Sequence, residues 1–162
     1  MAFFAAARQG RKDDAELGTG VWRRAHDRFR RGLDRYHQIL EGIDDDDVYN
    51  ELVGIANDLS EMLPRVREVC VRAQASSPST GLDIPGALMQ VHRALSRAGN
   101  TLATTAEAAA MARLDGERWG IASSGLDNVR RRAQLVAEDV EEAERAMPDA
   151  GQRTGRRPVG HQ

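Results

Sequence analysis

Residues 48–73 read VYNELVGIANDLSEMLPRVREVCVRA, and the placing of their apolar side chains decides the fold. Val48, Leu52, Ile55, Leu59, Met62, Val66, Val69 and Ala73 follow one another at alternating steps of four and three. An α-helix turns once in 3.6 residues, so this rhythm keeps one stripe of the helix in line over its whole length. The segment is therefore a long helix with a buried seam. A second stripe at sevens, Tyr49, Ala56, Leu63 and Cys70, makes the apolar surface wide enough to meet two neighbours. Pro64 lies inside the pattern and lacks a backbone donor, so a bend is expected near residues 60–64.

Four consecutive acids, Asp44 to Asp47, stand just before this helix. A calcium loop would need spaced oxygens and a turn glycine, whereas a helix N-terminus needs only negative groups near its free amides. Capping is the better reading.

On either side of this helix the same rhythm recurs, three times in all. Trp22, His26, Phe29, Leu33, Tyr36, Leu40 and Ile43 mark a helix over 21–43. After the polar stretch SSPSTG, Asp83 offers an N-cap and Pro85 suits a first turn, giving a helix over 83–114. Its seam is Ile84, Leu88, Val91, Leu95, Ala98, Leu102, Thr105, Ala109 and Ala112. A break over 116–122 holds Trp119, which is expected to plug the end of the core. Ser124 and Asp127 resemble a capping box for a last helix with the seam Leu126, Val129, Ala133, Val136, Val140, Ala143 and Met147.

Short connections make the first two helices antiparallel and the last two likewise. The expected fold is all-α: an up-down-up-down four-helix bundle over 21–147, with a flexible N-terminal arm over 1–20 and a disordered C-terminal tail over 148–162.

Composition narrows the function classes. Net charge is only −2, which disfavours nucleic acid as the main partner, because phosphate binding depends on accumulated positive charge. Lys12 is the only lysine among 23 cationic residues, an arginine bias typical of high-GC bacterial genomes. A single cysteine cannot form an internal disulfide, and no segment has the form of an export signal. A cytoplasmic protein is expected. The opening MAFFAAA is apolar for seven residues only, so no membrane partner is expected either.

No phosphate loop, paired CxxC, HExxH, GxSxG or inward ExxH occurs, and no cofactor or catalytic residue is expected. The nearest metal candidates are His26, Cys70 and His92, which the topology brings to one end of the bundle, with Glu68 or Glu141 available to complete a zinc set. His26 is on its seam while the other two sit on flanks, so packing explains them better. Asp34 and His37 share an outer helix face and read as a solvated pair.

Two surfaces remain. Arg23, Arg24, Arg30 and Arg31 belong to an arginine-rich face, suited to an acidic partner. Met89, Ala103, Ala110 and Met111 lie outside the seam of the 83–114 helix, which is apolar nearly all round. The expected function is a non-enzymatic adaptor or scaffold that binds another protein, or another copy of itself, through these faces. The alternative is a bundle that binds a small ligand or metal in a cavity of its alanine-rich end, with or without catalysis.

Overall fold

The computed structural model describes residues 2–119 and 123–149, with the backbone alone for Arg118, Trp119 and Ser123. The plug expected of Trp119 and the tail expected from residue 150 onward lie outside that description. Among the described residues the fold is all-helical: α1 Ala2–Leu17, α2 Val21–Glu41, α3 Asp46–Ser76, a 3-10 turn Gly86–Leu88, α4 Met89–Trp119 and α5 Ser123–Ala146.

Helix α3 buries all eight residues of its seam and continues as one element through Pro64. Of the second stripe, Ala56 and Cys70 are buried, Leu63 is half-buried and Tyr49 is exposed. Its start shows the capping anticipated for the acidic run, since the Asp45 carboxylate accepts a hydrogen bond of 3.0 Å from the Val48 amide. The seams of α2 and α5 are also buried, apart from half-buried Ile43.

The N-terminal arm is the main departure. Residues 2–17 form a helix, because the alanine-rich segment favours one and its C-terminal half docks on the bundle. Leu17 is fully buried, and buried Asp13 meets the Arg67 guanidinium at 2.7 Å and accepts from Gln9 at 2.8 Å. Gly18, at φ 70°, then ends the helix in a conformation that glycine adopts without strain. Gly20 has a different reason to be glycine. A Cβ there would fall on the backbone of Ser79, whose hydroxyl accepts 3.0 Å from the Val21 amide. The start of α2 is thus capped by a serine 58 residues along the chain.

Helix α4 also departs from expectation. It begins at Met89, because Pro85 is extended at ψ 122° and Gly86–Leu88 form a tighter turn first. Its end passes Gly116 and reaches Trp119, since one glycine without a polar turn lowers helix stability without stopping it. Ser124, expected as a cap, lies inside α5, and the Asp127 carboxylate instead accepts from Arg130 at 2.7 Å.

The helices pack in a definite pattern. α2 lies against α3 and α4, α5 lies against α4 and α3, and α3 meets α4 only sparsely. Cross-helix partners fix the running senses. Trp22 meets His92, Gly32 meets Leu102 and Gly42 meets Arg113, so α2 and α4 advance together. Glu51 with Arg130 and Arg65 with Glu144 show the same for α3 and α5. Trp22 Nε1 donates 2.9 Å to the Ser77 carbonyl and Tyr36 donates 2.9 Å to that of Leu52, so α2 and α3 run oppositely. Gly125 against Ala112 and Arg97 with Glu142 set α4 opposite to α5.

Two contacts between helices leave no room for more than a glycine. A Cβ on Gly125 would come within 2.9 Å of the Ala112 methyl, and one on Gly32 within 3.0 Å of Leu102. Ala94, Ala98, Ala106, Ala109 and Ala112 are fully buried, so the alanine-rich face of α4 is closed by near contact with its neighbours.

Candidate functional site

His26, Asp27 and Arg23 form one connected polar set on α2. His26 is buried on α2 and its Nδ1 donates 2.9 Å to Asp27, which also accepts 3.0 Å from Arg23. Burial alone would raise the Asp27 carboxyl, but hydrogen bonds from His26 and Arg23, with the charge on Arg23, hold it below its ordinary value. Cys70 lies against the His26 backbone. Burial, reinforced by the Asp27 charge, pushes its thiol up to about 12.

The structure therefore brings His26 and Cys70 together. His92 sits elsewhere, edge-on to Trp22 with ring centroids 5.9 Å apart, and burial lowers its pKa. Glu68 and Glu141 are exposed. Among the described residues no group of three or more His, Cys, Asp or Glu side chains converges. His37 is exposed with its Nε2 3.3 Å from the Ser60 hydroxyl, and Asp34 is exposed beside it on α2. Tyr36, whose phenol burial raises, gives its hydrogen to α3. No buried side-chain polar atom among the described residues lacks a partner. The interior polar bonds are structural ones: Tyr36 joins α2 to α3, Asp13 joins α1 to α3, and buried Thr105 bonds the Thr101 carbonyl within α4.

The arginine face divides in two. Arg23 is occupied, meeting Asp14 at 2.7 Å and Asp27 at 3.0 Å, so it ties α1 to α2. Arg28 turns to Asn100 and its stem covers Gly99. Arg24, Arg30 and Arg31 are exposed, with no ion pair among the described residues, as is Arg35.

The α4 surface divides too. Ala103, Ala110 and Met111 share one side with Leu114, and Met111 and Leu114 remain 58% and 49% exposed. Ala110 is half-buried and Glu107 is the one charge on that side between them. Met89, also exposed, lies 14 residues before Ala103, about 21 Å along the axis at 1.5 Å per residue. It belongs to a separate patch.

Two features escaped the reading of residues. Phe3 and Phe4, at the free end of α1, are 80% and 68% exposed. A groove of about 770 Å³ runs between α3 and α5, lined by Ile55, Met62, Ala133 and Ala137 under Glu51, Asp58 and Glu61. The signals were present in MAFFAAA and in small Gly54, Ala133 and Ala137, but only the helix placements give them meaning. Compared with known protein families, curated proteins and solved structures, the chain matches none.

Proposed function

We propose that this is a non-enzymatic, cytoplasmic helical-bundle protein that acts by binding another protein. Helices α2 to α5 form its scaffold, alternating up, down, up and down along the chain. The observation that carries the reading is the apolar side of α4. Ala103, Met111 and Leu114 stay open to solvent on a helix whose remaining faces are already packed against α2 and α5. Large apolar side chains that share a helix face and have no intramolecular partner favour a macromolecular contact. Exposed Arg30 and Arg31 on α2, level with the Ala103 end of that side, supply cations suited to an acidic rim on the partner, while Arg24 lies about two turns farther along α2.

The test is affinity purification of the full chain from its native cell, beside Met111→Glu and a control substitution at exposed Asn57. A partner that co-purifies with the wild type and the control, and is lost with Met111→Glu while the far-ultraviolet circular dichroism is unchanged, is the expected result. Equal recovery with all three refutes the α4 assignment.

A further inference from the structure

We infer that two copies of this chain join tip to groove, the free end of α1 in one copy seating between α3 and α5 of another. The inference rests on the protein-contact reading above and names a second copy as partner, through surfaces other than the α4 side. The tip combines two exposed phenylalanines with three cations. Arg8, Arg11 and Lys12 are exposed and have no ion pair among the described residues. Along a helix they follow Phe4 by one to two turns, about 6 to 12 Å.

The groove presents the matching chemistry over a similar span. Ile55, Met62, Ala133 and Ala137 form its floor, and Gly54 leaves open space where a side chain would stand. On its rim, Glu51 already meets Arg130 and Arg65 meets Glu144, whereas Asp58 and Glu61 have no ion pair among the described residues. Nor does the segment 44–63 contain any basic residue. An aromatic anchor followed by cations thus faces an apolar floor rimmed by unpaired acids.

Geometry excludes the tip of the same copy. α1 is fastened to α3 through Arg67, while Arg65 lines the groove. Two residues along a helix is a turn of about 200°, so α1 and the groove occupy opposite sides of α3. With Leu17 buried and Asp13 held, the tip projects away from its own groove. A tip that seats in this groove must therefore come from another copy.

The experiment is sedimentation velocity of the full chain from about 1 to 200 µM, at low and high salt, since exposed charges are screened within about a Debye length. Wild type should associate with rising concentration, and more weakly at high salt. Phe4→Asp and Gly54→Trp should each remain monomeric. Gly54 tolerates a side chain because nothing lies within 4 Å of its added Cβ. The decisive arm mixes these two variants, because one retains a groove and the other a tip. They should form a one-to-one pair that neither forms alone.

A monomer throughout the range, or association undiminished in both variants, overturns the inference. So does recovery of the wild-type monomer on phosphatidylglycerol vesicles with Phe4 required, which would assign the tip to a lipid surface. Met111→Glu should associate as the wild type does. A monomeric wild type that still retains a Met111-dependent partner would refute this inference alone.

Discussion

Replacing Asp13 by alanine should free α1 while leaving the rest of the bundle folded. Asp13 is 3% exposed and holds Arg67 at 2.7 Å, with Gln9 at 2.8 Å. Removing one partner of a deeply buried ion pair costs about 3–5 kcal/mol, and a hydrogen bond to a charged group contributes about 1.5–3 kcal/mol. The lower range applies, because the Arg67 side chain is 24% exposed and keeps Glu16 at 2.9 Å. A loss of about 2 kcal/mol is expected, about 30-fold in the docking equilibrium. The remaining attachments are Leu17, whose burial contributes about 1.5–3 kcal/mol, and the ion pairs of Glu16 to Arg67 and of Asp14 to Arg23. Native-state hydrogen exchange separates α1 from the core. Amides over 13–17 should exchange about 30-fold faster in Asp13→Ala, while those along the α3 seam change little. Unchanged exchange in α1, or an equal acceleration in α3, would refute the assignment of Asp13 as the tie.

Gly20→Ala should lower the urea midpoint by about 1 M, taking about 1–3 kcal/mol for overpacking and an m-value of about 1–3 kcal/mol/M, because the new methyl meets the Ser79 backbone. An unchanged midpoint would show that the close approach is absent. Cys70, buried and with its thiol pushed up, should react with a disulfide reagent at pH 8 far more slowly in the native chain than in urea. Comparable rates would contradict its burial. Asp13 and Asp27 are both held below the ordinary value of 3.8. The stability they contribute is complete above that value and is lost as the pH falls below it through the lowered pKa values. The urea midpoint should therefore decline below about pH 4, and less steeply in an Asp13→Asn, Asp27→Asn variant. An equal decline in the variant would remove these two carboxylates from the account.

Helical seams were legible because periodicity is a local property of the chain. The seam residues from Val48 to Ala73 on α3 and from Leu126 to Ala143 on α5, with Met147 just past its end, are all buried. Helix α1 was not legible, since its docking depends on Asp13 meeting a residue 54 positions away and nothing near Asp13 marks it as buried. Its glycines resembled the signs of a loose arm, yet Gly18 ends a helix and Gly20 admits Ser79. Proximity of His26 and Cys70 followed from the directions of their helices. The placing of His92 against Trp22 did not, because it depends on how α4 rotates over α2. The α3 and α5 groove was hidden for a related reason. The up-down order makes α3 and α5 parallel, but that they lie side by side leaves no mark in either segment.

Whether the α4 side meets a protein partner is read by site-specific photocrosslinking from position 111 of the full chain in its native cell, with exposed Thr80 as the control position. A discrete protein adduct is expected from position 111 and none like it from position 80. The same adducts from both positions, or none from position 111, would contradict that contact.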